Sequence, residues 1–99
     1  MRIRVQAVAW LARALGHPGA GRLTFERTFP PGAHLADLLA TLAREHPEFA
    51  DYALAADSSL SCPHLCVTLN GALVAIPREL GRALRDGDLV VILPAFAGG

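Results

Sequence analysis

Residues 84–99 read LRDGDLVVILPAFAGG, and the order of residue types in this stretch decides the fold. Asp86, Gly87 and Asp88 form a turn signal. Residues 89–93 follow as an unbroken apolar run, mostly β-branched. A run this short predicts a strand buried on both faces, in the middle of a sheet. Pro94 offers no backbone N–H and predicts the end of pairing. Ala95, Phe96, Ala97, Gly98 and Gly99 then carry no strand or helix period. Two glycines at such a position suit either a frayed remnant or a tail shaped to enter a narrow place.

Working outward, the other elements supply partners for that central strand. In MRIRVQAVAW (residues 1–10), Ile3, Val5 and Ala7 alternate with Arg2, Arg4 and Gln6, the period of a half-buried strand. LARALG (residues 11–16) predicts one or two helical turns closed by Gly16, and HPGAG (residues 17–21) a loop. RLTFERTF (residues 22–29) alternates again, with Leu23, Phe25 and Phe29 on one face. It is close enough in sequence to pair antiparallel with the first strand. After Pro30, Pro31 and Gly32, Leu35, Leu38, Leu39 and Leu42 recur at i, i+3, i+4 and i+7, an amphipathic helix. Asp37, Thr41, Arg44 and Glu45 form its wet side. His34 and Asp37 make a weakened capping box, and Pro47 stops the helix near His46. Residues 50–64 lack a clean period and read as an irregular crossing with a loop at 57–61. LCVTL (residues 65–69) is a strand with Leu65, Val67 and Leu69 inward. Asn70-Gly71 is a type I′ hairpin signal, and ALVAI (residues 72–76) returns until Pro77. RELGRAL (residues 78–84) predicts a short helical piece, with Arg78, Arg82 and Arg85 on one face.

The order strand, strand, helix, strand, strand, strand predicts a single α+β domain over residues 1–99. It has one mixed sheet of four to five strands with one main helix across a face. Residues 94–99 are expected to form a flexible tail.

Composition narrows the function. Basic and acidic residues number nine each, for a net charge of zero. No broad positive field exists for nucleic acid or anionic lipid. Every basic residue is Arg and there is no Lys. The glycine-rich GHPGAG therefore cannot be a Walker-type phosphate loop, which needs its lysine, and side-chain Schiff-base catalysis is excluded. No secretory signal opens the chain and no apolar run spans a membrane, so a reducing cytoplasm is expected.

At this point the chain resembles the ubiquitin-like β-grasp sulfur carriers of the MoaD and ThiS type, most of all the small subunits of molybdopterin synthases. WLARALG, PPGAHLADLLATL, VTLNG and LRDGDLVVILPAFAGG carry the resemblance, which spans nearly the whole chain. The last is the most specific, joining turn, central strand, Pro and diglycine in one register. That family's tail often reads Pro-Pro-aliphatic-small-Gly-Gly; here one Pro is missing and Phe96 is bulkier. The excursion after the first strand favours the molybdopterin type over the shorter thiamine type.

The resemblance implies that the Gly99 carboxylate is the working group, ionised at neutral pH with an ordinary pKa of about 3.3–3.7. It implies adenylation of that carboxylate by an E1-like enzyme using ATP, conversion to a thiocarboxylate, and insertion into a large catalytic subunit. The chain itself would be a carrier, with no cofactor of its own. Gly98 and Gly99 lack a Cβ, so a partner's backbone can close around the acyl group. Pro94, Ala95, Phe96 and Ala97 would thread with them, Phe96 as an anchor. Trp10, Arg78, Arg82 and Arg85 are candidates for partner docking, though a solvated arginine face and a core-edge tryptophan are the plainer readings. The acceptor stays open among a pterin precursor, the thiamine thiazole, a tRNA base and an amino-acid precursor. A protein modifier joined to lysines through Gly99, or a plain interaction module, also stays open.

Other groups are weaker candidates. Cys62, His64 and Cys66 in CPHLC lack a second ligand pair and a common zinc spacing, which favours plain thiols over a metal site. His17, His34, His46 and His64 are scattered and form no catalytic unit with a nucleophile and carboxylate.

Overall fold

The computed structural model describes residues 1–8, 10–16, 22–55, 57, 59–62 and 65–94. The elements in chain order are β1 (Arg2–Ala7), α1 (Trp10–Ala14), β2 (Leu23–Thr28), α2 (Leu35–Glu45), α3 (Pro47–Ala53), β3 (Leu65–Leu69), β4 (Ala72–Val74) and β5 (Leu89–Pro94). They build one five-stranded sheet in the order β2-β1-β5-β3-β4. β5 runs parallel to β1 and antiparallel to β3, and the two outer pairs are antiparallel. The sheet is therefore mixed, and the apolar run of residues 89–93 lies at its centre, as the α+β reading expects.

Register explains the core. Ile3, Val5 and Ala7 of β1, Val90 and Ile92 of β5, and Leu65, Val67 and Leu69 of β3 all point to one face and are buried. Leu35, Leu38, Leu39 and Leu42 of α2 join them in one cluster with Leu11 of α1 and Phe49 of α3. All the helices thus cover the same face. The first amides of α2 have no partner within the helix. Here the Leu35 and Ala36 N–H groups donate to the carbonyls of Arg82 and Leu80, each at 2.9 Å. The Asp37 carboxylate accepts from the His34 N–H at 2.7 Å, the reciprocal half of a capping box. The Arg27 guanidinium makes a bidentate pair with the Glu45 carboxylate, tying β2 to the end of α2.

Three expectations need correction. First, Pro47–Ala53 form α3, so residues 50–53 of the expected irregular crossing over residues 50–64 are helical. Pro47 stops α2, and it also sits at the first turn of α3, where its missing N–H costs nothing. Second, residues 78–84 contain no helix; residues 76–81 are turns, so Arg78, Arg82 and Arg85 share no helical face. The Leu80 and Arg82 carbonyls cap α2, and the Leu84 N–H, which a helix would direct to Leu80, donates to the Ala33 carbonyl at 2.9 Å. Third, β5 is not buried on both faces: Leu89, Val91 and Leu93 are only half-buried. Asn70 and Gly71, with φ of 52° and 86°, make the expected two-residue hairpin between β3 and β4. Among the described residues no helix is long and apolar enough to cross a membrane.

Candidate functional site at the end of the central strand

The site is built on β5. Pro94 is the last residue of this strand, stands opposite Leu65 of β3 and is buried. It therefore belongs to the sheet and not to the tail expected from residue 94. Its ring ends the ladder all the same, because it has no N–H to donate onward. Ala95, Phe96, Ala97, Gly98 and Gly99, the rest of the expected working segment, lie outside the described residues. What is described is their launching point: a strand held on both sides, by β1 and by β3.

The open face of the sheet leads up to that point. Leu89, Val91 and Leu93 alternate with the buried residues of β5 and face away from the helices. Cys66 stands opposite Leu93, and Thr68 opposite Val91. Leu73 stands opposite Thr68 on β4 and is 68% exposed. This half of the face is apolar. The other half is polar: Arg4 lies opposite Leu89 and Gln6 opposite Val91, with Glu26 and Thr24 beyond them on β2. An apolar strip thus runs along β5 and ends one residue before Pro94. Sequence reasoning named none of these strip residues as a docking surface. The signal lay in the alternation of Cys66 and Thr68 with buried residues, and in Leu73 on a short edge strand.

The opposite end of β5 is locked by polar bonds. The Asn70 side chain donates to Asp88 Oδ1 at 2.9 Å, and Asn70 Oδ1 accepts from the Leu89 N–H at 2.9 Å. Asp88 Oδ2 accepts from the Arg85 N–H at 2.8 Å. The Arg2 N–H donates to Asp86 Oδ1 at 2.7 Å, and the Gly87 N–H to the Arg2 carbonyl at 2.8 Å. The turn of residues 86–88 is thereby fastened to β1 and to the Asn70-Gly71 hairpin together. Strand register at the tail end follows from this anchorage.

The remaining candidates lie elsewhere. Arg82 and Arg85 line a cleft with Asn70 and Asp88, at the start of β5. They are separated from Pro94 by the length of the strand, about 17 Å at about 3.3 Å per residue. Arg82 pairs loosely with Glu79 at 3.4 Å. The Ala75 N–H, donating to Glu79, together with Arg82 holds the Glu79 carboxyl below its ordinary value. Arg78 is exposed on the turn after β4. Trp10 opens α1, and its side chain is outside what the structure describes. His46 caps the end of α2 and the start of α3, and His34 precedes α2. His17 and His64 lie outside the described residues. Cys62 and Cys66 are free thiols. Cys62 is buried, and burial pushes its thiol up to about 11. Among the described residues no cluster of His, Cys, Asp and Glu could hold a metal ion.

Comparison with known proteins decides the family. The ThiS family model matches residues 8–99, from the end of β1 through both terminal glycines. The chain belongs to the ThiS family. Among solved structures, SAMP1 from Haloferax volcanii superposes with a TM-score of 0.76 at 25% identity, covering 100% of each chain. A putative molybdopterin converting factor subunit 1 from Pyrococcus furiosus superposes with a TM-score of 0.72 at 21% identity, covering 97% of this chain and 99% of that one. A complex of subunits 1 and 2 of molybdopterin-converting factor from Helicobacter pylori contains a chain matching at TM-score 0.58 and 18% identity, with 100% of both chains covered. The comparison with curated proteins finds no match. This ThiS family chain accordingly has the β-grasp fold of ubiquitin-like sulfur carriers and modifiers. Small carriers of this type are generally non-catalytic, and relatives assemble with partner proteins.

Proposed function

We propose that this chain is a sulfur carrier protein whose cargo is held on the Gly99 carboxylate. The observation that carries the reading is the family match through residue 99, combined with a diglycine launched from the centre of the sheet. A carboxylate attacks the α-phosphate of ATP in an activating enzyme of E1 type. Pyrophosphate leaves and an acyl-adenylate forms. A sulfur nucleophile at the oxidation level of hydrogen sulfide then attacks the acyl carbon. AMP leaves, a proton is released, and a C-terminal thiocarboxylate remains. No cysteine of this chain takes part. ATP binds to the partner, and the carrier needs no cofactor of its own.

The tail's residue types serve those steps. Gly98 and Gly99 let a narrow cleft close around the acyl group, and Phe96 anchors the segment in a partner pocket. The apolar strip of Leu89, Val91, Leu93 and Leu73 is covered by the same partner, since it ends where the tail begins. The finer reading is the small subunit of a molybdopterin synthase in the cytoplasm, with the large catalytic subunit as acceptor. Its support is the molybdopterin-type excursion after β1 and the likeness to converting factor subunit 1. Identifying which large subunit co-purifies with the chain tests this against thiazole, tRNA or amino-acid acceptors.

The likeness to SAMP1 from Haloferax volcanii and to the small archaeal modifier protein 1 from Methanosarcina acetivorans supports a second use as a protein modifier. The chain has no Lys and cannot build chains on its own side chains. Gly-Gly remnants on lysines in tryptic digests of cell protein would reveal that use. The carrier reading itself is tested by pyrophosphate exchange into ATP. With an activating enzyme present, exchange depends on this chain and is lost when Gly98 and Gly99 are deleted. Exchange that survives the deletion contradicts it.

A further inference from the structure

We propose that a groove on the helical side of the molecule docks an acidic, amphipathic segment of a partner protein. The groove is lined by Ala40, Ala43, Arg44, Leu54, Leu60 and Leu80 and has a volume of about 500 Å³. Three separate parts of the chain build it. Ala40 and Ala43 lie one turn apart on α2. Leu54 and Leu60 are joined by an isolated bridge after α3. Leu80 comes from the turn that caps α2.

Its chemistry selects the occupant. The two alanines have side chains short enough for a visiting backbone or a leucine to approach closely. Leu54, Leu60 and Leu80 pack on the core yet stay only partly buried, so covering them removes further apolar surface from water. Arg44 is the one charged residue among those that line the groove. Its guanidinium makes one long contact, to Thr41 Oγ1 at 3.4 Å, and among the described residues no carboxylate pairs with it. Glu45, its neighbour in sequence, is already held by Arg27 through both oxygens. An apolar trough lined by one cation that forms no ion pair among the described residues is complementary to a helix presenting leucines flanked by a carboxylate. A membrane is the poorer fit, because one arginine on a chain of zero net charge gives little attraction to anionic lipid.

Position adds a consequence, which rests on the carrier reading above. The groove lies on the helix side, and the apolar strip leading to Pro94 lies on the opposite face of the sheet. A protein seated in the groove leaves the tail free. The carrier can then stay held while its tail passes from the activating enzyme to the acceptor.

The test is a titration of the ¹⁵N-labelled full chain with two synthetic peptides. One carries leucine and glutamate at helical spacing; in the other every glutamate is lysine. The acidic peptide is expected to shift the amides of Ala40, Ala43, Leu54, Leu60 and Leu80 and to saturate. Arg44 is exposed, so Arg44→Glu folds; it should weaken the acidic peptide about fivefold and strengthen the basic one, as a surface charge pair allows. Ala40→Phe, which fills the trough, should abolish both responses. Equal binding of the two peptides, shifts mapped to Val91 and Leu93, or shifts produced by self-association without peptide would each overturn the proposal. The titration uses neither ATP nor sulfur, so its failure is read separately from a failure of the carrier assay.

Discussion

Asp88 receives the Asn70 side-chain amide on one carboxylate oxygen at 2.9 Å and the Arg85 N–H on the other at 2.8 Å. This one residue, only 9% exposed, joins the β3–β4 hairpin to the start of β5. Asp88→Ala removes two part-buried hydrogen bonds, a loss of about 1–3 kcal/mol. Urea unfolding should show a lower midpoint at an unchanged slope. Asn70→Gly keeps the positive φ that the turn demands and should cost less than Asp88→Ala. An unchanged midpoint in Asp88→Ala would show that the lock contributes nothing.

The Arg27–Glu45 pair predicts how stability responds to acid. Hydrogen bonding to Arg27 lowers the Glu45 carboxyl below its ordinary value, and the same bond raises Arg27. Hydrogen bonds from Ser59 lower Asp57 in the same direction. A carboxyl with a depressed folded value contributes stability that is complete above the unfolded value, about 3.9–4.3. That contribution is lost as pH falls through the lower folded value. Melting temperature should therefore fall below about pH 4.3. In Glu45→Gln the fall should be shallower and the neutral-pH value slightly lower. A variant whose acid limb superimposes on that of the parent would refute the assignment.

The two thiols should separate under alkylation. Burial keeps Cys62 protonated up to about 11 and shields it from reagent. Cys66 sits half-exposed on the open face opposite Leu93. At pH 8, iodoacetamide should modify Cys66 first, as read by peptide mass mapping. A bound acceptor subunit should protect Cys66, because the apolar strip surrounds it. Equal rates for both thiols in the native protein would contradict the burial of Cys62.

Leu73 tests the open face. At 68% exposure it contributes little to folding, so Leu73→Asp should change stability by less than about 0.5 kcal/mol. The same change puts a charge in the apolar strip and should weaken capture by a large subunit about tenfold, the loss typical of a well-buried interface residue. Unaltered capture would place the partner elsewhere on the molecule.

Much of this was legible in the chain. The alternation of Ile3, Val5 and Ala7, the leucine stripe of α2 and the Asn70-Gly71 turn each signal one element, because local period and turn chemistry agree with the tertiary fold. Residues 89–93 were legible as the central strand and misleading about its faces. Five apolar residues in a row look the same whether the second face meets a helix layer or a partner protein. α3 is hidden in the sequence because Pro47 signals a stop and a start equally well. The segment of residues 78–84 has helical spacing, yet its carbonyls are needed to cap α2, a tertiary demand no local pattern displays. The groove around Arg44 draws on α2, the Leu54–Leu60 bridge and the turn at Leu80, which meet only when the chain is folded. Gly98 and Gly99, by contrast, lie outside the described residues, and the proposal for them rests on the sequence and the family match.

The most direct measurement is the intact mass of the chain after incubation with ATP, an E1-type activating enzyme and a sulfur donor. The carrier account predicts one oxygen replaced by one sulfur, located at Gly99 by fragmentation and absent when Gly98 and Gly99 are deleted. An unchanged mass in the full chain under conditions that load a known carrier, or sulfur found on Cys62 or Cys66 instead, would contradict it.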